Sequence, residues 1–513
     1  MSITLTDQDT HTLRTAAWGA VSLMTAAGAA GSPHKTATEG SIALTSATGL
    51  VGHVLAKAPK GLSAKSTAEL ADQVLPALTA SMSLLRQHAP AEADNFRRTV
   101  IVAIEATAHA QKGEPSPTMA EMARKITEAL DAAPPGGADS EAVAKAAGQD
   151  RPELQKVIQE MVDSGFVGVT LRVRDERGEW VGSAGVGELG GTEEPPADGH
   201  FRIGSNTKTF TATVVLQLVG EGRLGLDDVV ADHLPEFGLD RRITVRMLLQ
   251  HTSGVFNFTG DYYPEFVPGV VFQGREWVEG RFRTYRPEEL VRLALSKPAK
   301  FEPGTDWSYA NTNYVLARLL VEKVTVRSLG EEMRRLILGP LGLTGTVVPD
   351  TSTDVPEPHA HAYYRYEEDG QEKVADVTRQ NPSWISTGGD MISTTADLAT
   401  FLSALVGGRL LPAPLLAEMC TPESKAGYGL GLFVQDVPGG GKVITHNGGI
   451  TGHAGLMYST PDGRKTLTAS LNYVDDAALS MGEPFQKATQ RLVQEVFGGG
   501  QAGSADATAE PAQ

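Results

Sequence analysis

A single cysteine, Cys420, stands among 513 residues, so the chain has no internal disulfide framework. The default place for such a thiol is a small apolar position in a core. No apolar run approaches the ~20 residues that a bilayer-spanning helix needs. Positive charge is scarce relative to negative: 45 Lys and Arg face 62 Asp and Glu, a formal net charge of -17. That balance argues against nucleic acid and anionic membrane surfaces as partners and favours solubility. Metal-ligand spacing is missing as well. His34, His53, His88 and His109 are scattered, and His359-Ala-His361 has no obvious third ligand, so no metal is expected; no organic cofactor is expected either.

A targeting segment is only weakly drawn. Residues Ala16 to Ala30 end in an Ala-rich stretch like a cleavage site, yet Asp7 and Asp9 precede it with Arg14 as the one fixed positive charge. Thr, Ser and Gly dilute the run, so the expectation is an amphipathic helix of a cytoplasmic protein, with a secreted protein as the alternative.

The chain is long enough for two domains or more. Leu70, Val74, Leu78, Met82 and Leu85 recur at helical spacing, as do Met122, Ile126 and Leu130, which predicts a helical domain over residues 1–132 with Pro76 kinking one helix. No chemistry is recognisable there; a regulatory role, self-association or docking of a protein partner are all open, and nothing in the residues selects among them. Asp131-Ala-Ala-Pro-Pro-Gly-Gly-Ala-Asp-Ser140 has linker composition, placing a linker at 133–150 and a second domain at 151–498. The tail at 499–513, rich in Gly, Ala and acidic residues, is expected to be disordered. Within the second domain, Phe166–Val173 and Trp180–Val186 flank Asp175-Glu-Arg-Gly178, while Ala454–Ser459 and Lys465–Leu471 flank Pro461-Asp-Gly463. Two hairpins around a helix-rich middle predict an α+β fold, an antiparallel sheet closed by both ends of the domain and flanked by helices.

The chemistry concentrates in three places. In Phe201-Arg-Ile-Gly-Ser-Asn-Thr-Lys-Thr-Phe210, Ser205 and Lys208 are three apart. Phe210, Val214, Val215 and Leu218 form an apolar stripe ended by Gly220 and Gly222, so a helix is expected with Ser205 in its first turn. On a helix that spacing puts hydroxyl and amine on one face, where the amine can take the serine proton. Ser32-Pro-His-Lys35 fits the same template but lacks a strong helix and a partner motif, and reads as a loop or cap serine. Downstream, Tyr309-Ala310-Asn311 falls on a loop before a helix starting near Tyr314. A Tyr hydroxyl there can relay protons and an Asn amide can hold a carbonyl. Last, His446-Asn447-Gly448-Gly449 follows the β-prone run Lys442–Thr445, and glycines at such a strand end let another backbone approach.

In that order the three motifs resemble the signature of the serine penicillin-recognising hydrolases, in the branch of class C β-lactamases, D-Ala-D-Ala carboxypeptidases, D-aminopeptidases and related esterases. The likeness covers residues 151–497 and includes Ile243–Arg246, His251-Thr-Ser-Gly254, Ser383-Trp384 and Gly427–Leu432. It implies that Ser205 is acylated, that Lys208 accepts its proton, and that Tyr309 relays protons to the leaving group. It further implies that Asn311 binds the substrate carbonyl, that His446 stands where many relatives have Lys, and that the amides of Ser205 and Gly449 form an oxyanion hole. Trp384 and Tyr263 match positions that wall the cleft in the carboxypeptidase.

Three positions depart from the carboxypeptidase pattern. Where that enzyme has an arginine after Gly427–Leu432 and threonines either side of the motif glycine Gly448, this chain has Phe433, Asn447 and Gly449. The arginine and hydroxyls resemble a clamp for a free carboxylate, and Phe cannot donate to one. The resulting expectation is a serine hydrolase acting through an acyl-enzyme on small-molecule or peptide esters or amides, with a D-configured acyl side as one possibility. The alternatives are a D-Ala-D-Ala carboxypeptidase or class C-like β-lactamase, and a non-catalytic scaffold of the same fold.

Overall fold

The computed structural model describes residues 7–28, 41, 44, 49–59, 67–88, 90–109, 116–131, 151–261, 267–268, 274–423, 425–437 and 441–498. Ser32 to Lys35, Tyr263, the expected linker at 133–150 and the expected tail at 499–513 lie outside the described residues. The chain divides into two compact units, Met1–Ser140 and Glu141–Gln513.

The elements described in the first unit are all helices: α1 (Asp7–Ala27), α2 (Gly49–Leu55), α3 (Thr67–His88), α4 (Pro90–His109) and α5 (Pro117–Asp131). The helical repeat Val74, Leu78, Met82 and Leu85 faces its core, joined by Phe96, Val100, Ile126 and Leu130. Helix α3 continues through Pro76. No described helix is long and apolar enough to cross a membrane.

The first described residue of the second unit is Arg151, whose buried guanidinium grips Asp175 with two bonds of 2.9 and 2.7 Å. Helix α6 (Pro152–Asp163) buries Leu154, Val157, Ile158 and Met161, one apolar stripe at i, i+3, i+4, i+7. Strands β1 (Gly168–Asp175) and β2 (Gly178–Gly185) form the early hairpin. Strands β3 (Tyr363–Glu368) and β4 (Gln371–Asp376) form another in mid-chain. The later strands are β5 (Phe433–Asp436), β6 (Lys442–Ile450), β7 (His453–Ser459), β8 (Thr466–Asn472) and β9 (Val474–Asp476). The main sheet has the order β2-β1-β8-β7-β6-β5, all antiparallel, so both ends of the unit meet where β1 pairs with β8. That is the closure expected from the two hairpins. Strand β9 leaves the main sheet to pair in parallel with β3.

Helix α6 and α10 (Gly482–Phe497) share one core with the sheet, built on Val169, Leu171, Leu456, Leu471 and Leu492. A second, larger core gathers α7 (Thr207–Gly220), α8 (Asn311–Thr325) and α9 (Thr395–Val406). Helix α7 differs from the one-sided stripe expected: Thr209, Thr211 and Thr213 are as buried as Phe210 and Val214. Their hydroxyls donate to the carbonyls of Gly431, Thr207 and Thr209 at 2.7, 3.1 and 2.8 Å, which removes the penalty of burying them. Phe210 stacks on Phe401 of α9 with ring centroids 3.6 Å apart. A helix packed on every side fixes its first turn firmly, and Ser205 lies on that approach. Cys420 is partly buried against this core, which pushes its thiol up to about 11.

Candidate active site

Ser205 occupies a 3-10 turn, Gly204–Asn206, that runs into α7 at Thr207. The expected helical register survives this change. Lys208 Nζ lies 3.1 Å from Ser205 Oγ, and it also donates to Asn311 Oδ1 at 2.6 Å and to the Gly388 carbonyl at 2.5 Å. An amide oxygen and a carbonyl can only accept. A neutral lysine therefore spends its two N–H bonds on those partners and turns its lone pair toward the serine hydroxyl; once protonated, it has three acceptors for three donors. The side chain is fully buried, and burial holds its pKa well below the ordinary lysine range, opposed by the negative charge of Asp390.

Tyr309 precedes α8, and Asn311 is the first residue of that helix, three residues earlier than the apolar pattern from Tyr314 indicates. Burial raises the pKa of the Tyr309 hydroxyl, and the neighbouring Ser205 hydroxyl opposes that shift. The Lys208 amine stands 4.7 Å from the centroid of the Tyr309 ring. Of the two groups beside the serine, the lysine is thus driven toward its base form and the tyrosine toward its neutral, proton-carrying form. Asn311 is held at both ends of its amide: Oδ1 accepts from Lys208, and Nδ2 donates to Thr259 Oγ1 at 2.8 Å.

The motif His446 to Gly449 lies inside β6, which continues to Ile450, and not at a strand end. Strand β5 pairs only with residues 442–445, leaving the outer edge of the motif free of a neighbouring strand. The serine turn packs there. A Cβ on Gly448 would stand 2.5 Å from the Ser205 nitrogen, and one on Gly204, whose φ is 52°, would stand 2.5 Å from the Gly449 nitrogen. Only glycine at both positions permits this approach, which brings the Ser205 and Gly449 amides side by side.

His446 is buried, and its Nδ1 lies 2.8 Å from the Asn447 carbonyl while Nε2 lies 3.1 Å from the Tyr428 hydroxyl. A carbonyl requires the ring proton on Nδ1, so Nε2 accepts from Tyr428. Burial, reinforced by Lys208, pushes the imidazole down to about 3, so it is neutral at ordinary pH. Its ring is 6.3 Å from that of Tyr309, and its hydrogen bond goes to Tyr428.

Of the remaining expected positions, Trp384 lines the cleft beside Asn311 and Gly449. Phe433 packs edge-on against Tyr428, with centroids 4.5 Å apart, and against His446 at 5.6 Å. Asn447 departs from its expected substrate-binding place. Successive strand residues face opposite sides, and its amide donates to Tyr458 Oη at 2.7 Å on the face away from Ser205.

Residues given no role beforehand complete the cluster. His251 caps the helix Val245–Gln250 in left-handed conformation and is fully buried. Its carbonyl accepts from Ser308 N–H at 3.0 Å, its Nδ1 accepts from Ala310 N–H at 3.1 Å, and its ring packs 4.3 Å from that of Tyr309. The tyrosine is thereby clamped from both flanking residues. Asp390 is fully buried, with neither carboxyl oxygen bonded to another side chain among the described residues, and burial pushes it up to about 6. His361, from the histidine pair that lacked a third ligand, bonds Asp376 Oδ2 at 2.6 Å.

Comparison with known proteins bears on the family and the fold. The Beta-lactamase family profile matches residues 154–481. Penicillin-binding protein 4* of Bacillus subtilis is 28% identical over 308 residues, covering 57% of this chain and 65% of that protein, so the match spans just under two thirds of that relative's length. Among solved structures, a D-stereospecific amidohydrolase from Streptomyces sp. is 37% identical with a TM-score of 0.60, over 69% of this chain and 100% of its own. D-amino acid amidase from Ochrobactrum anthropi SV3 is 25% identical with a TM-score of 0.58, over 68% of this chain and 99% of its own. With its family profile spanning most of the second unit and its fold shared with these structures, the chain belongs to the Beta-lactamase family.

Proposed function

We propose that this protein is an active-site serine hydrolase that cleaves esters or amides through an acyl-enzyme, with substrates carrying a D-configured acyl side. The observation that carries this reading is the Lys208 amine, buried and lowered in pKa, with two fixed acceptors and Ser205 Oγ at 3.1 Å. As Ser205 Oγ bonds to the substrate carbonyl carbon, its proton passes to Lys208 Nζ and the carbonyl π pair moves onto oxygen. The adjacent Ser205 and Gly449 amides receive that oxyanion, each such donor typically lowering a barrier by ~3–4 kcal/mol. Collapse expels the amine or alcohol, which takes the proton from Lys208 by way of the Tyr309 hydroxyl. Water then repeats the sequence in reverse roles and frees the acid.

Asn311 is placed to hold the substrate carbonyl with the amide proton that Thr259 leaves free. His446 acts through Tyr428, fixing the aromatic wall beside Tyr309. The D-configured acyl side is supported by likeness to the Streptomyces D-stereospecific amidohydrolase and the Ochrobactrum D-amino acid amidase. Ser205→Ala tests the reading: it should abolish acylation by a fluorophosphonate probe while Ser32→Ala leaves labelling intact. Labelling retained in Ser205→Ala and lost in Ser32→Ala would overturn the assignment.

A further inference from the structure

The cleft that holds Asn311 and Gly449 widens into a hollow of about 300 Å³. Aromatic faces of Trp277, Tyr364, Trp384 and Tyr473 surround it, together with Asp475 and Asp476; no Lys or Arg lines it among the described residues. Asp475 and Tyr473 also border an adjoining hollow of about 270 Å³ walled by Phe166, Met481 and Phe485. Tyr473 links this region to the reacting centre, because its hydroxyl lies 3.8 Å from where a Cβ of Gly449 would stand.

The two carboxylates are not equivalent. Asp476 accepts from the backbone of Ser480 at 3.1 Å and from its hydroxyl, and it aligns with Arg365 across the β9–β3 pairing. Arg365 in turn lies 3.5 Å from Glu372. Asp475 is opposite Tyr364, and alternation along the strand turns it to the other side from Arg365. It accepts from the Asp476 backbone at 2.9 Å and has no ion-pair partner among the described residues. Burial pushes its carboxyl up to about 6, as expected for a carboxylate lacking a cation.

A half-buried carboxylate without a cation, set among aromatic faces beside a carbonyl-binding centre, is complementary to an ammonium group. We infer that Asp475 binds a free amino group on the acyl part of the substrate, making the enzyme selective for amides or esters of amino acids or peptides with an unblocked amine. An N-acylated substrate offers no cation to Asp475, and a free carboxylate there meets like charge. The inference rests on the acyl-enzyme reading and specifies which substrates that site accepts.

The test uses the full chain with D-phenylalanine amide and N-acetyl-D-phenylalanine amide, each assayed as substrate and as competitor of fluorophosphonate labelling at Ser205. The free amine should protect at lower concentration and be turned over with kcat/KM at least about tenfold higher. Asp475→Asn should erase that difference through KM. Should Asp475→Asn fail to label, Asp475→Glu, which keeps the charge, carries the comparison and should retain a preference for the free amine. Equal handling of the two compounds by the natural protein, or a preference that survives Asp475→Asn, overturns the inference while labelled Ser205 leaves the acyl-enzyme reading standing. An unlabelled Ser205 overturns both.

Discussion

At the reacting end of the cleft, Lys208 has three oxygen partners within 3.1 Å, and Asn311 and Tyr309 are each held from more than one side. At the proposed recognition end, Asp475 has no cation among the described residues, and Phe433 packs its ring against Tyr428 and His446 where the carboxypeptidase pattern has an arginine. The difference lies in how many groups each position must satisfy. A buried amine has to be matched atom by atom, so changing one partner disrupts several. A wall that contacts only substrate can be rewritten one residue at a time, and the binding preference follows.

The sharpest way to break the contrast is to disable the reacting end. Lys208→Met keeps the length of the side chain while removing its nitrogen, and should lower kcat for a generic ester by roughly 10²–10⁴, the range for a lost general base. A loss under about tenfold would mean that another group takes the serine proton. The architecture comes next. A chain beginning at Gln149 retains Arg151 and its grip on Asp175, and we propose that it folds and hydrolyses an ester within about tenfold of the full chain. Insoluble or inactive protein would show that the helical unit completes the catalytic one.

The smallest effect is a shift in pH. Asp390 raises the Lys208 pKa, so removing its charge lowers it further. Lysine is competent only when neutral, and activity is lost as pH falls through its pKa. Asp390→Asn should therefore move the acidic limb of kcat/KM to lower pH. A limb that stays in place, or moves upward, would show that Lys208 does not set it. His446, already neutral down to about pH 3, should contribute no limb between pH 5 and 8.

The backbone frame was largely legible. Turn residues between β-prone runs marked the β1–β2 and β7–β8 hairpins, and the three-residue spacing of Ser205 and Lys208 carried over into a bond of 3.1 Å. Reading α7 as one-sided failed because threonines count as polar, although their hydroxyls bond carbonyls inside the core. Ending the strand before His446 failed because glycines suggest a break, whereas Gly448 permits close backbone packing against the serine turn. With the strand extended through the motif, its alternation alone would have set Asn447 opposite to His446. His251 and Tyr428 fell within segments of the family likeness, but neither they nor Asp475 carried a local signal of a role. Each acquires its neighbours from segments distant in sequence, and that assembly is a property of the tertiary fold.

The central claim is that acyl-transfer chemistry is retained while recognition of a terminal carboxylate is lost. Its most direct test compares kcat/KM for a peptide ending in D-alanyl-D-alanine with the same peptide as its C-terminal amide. A carboxylate set against Phe433 forgoes a charge-assisted bond of about 1.5–3 kcal/mol and bears its desolvation besides. The amide should therefore be preferred by about tenfold to several hundredfold. A clear preference for the free acid would contradict the account and identify the chain as a carboxypeptidase.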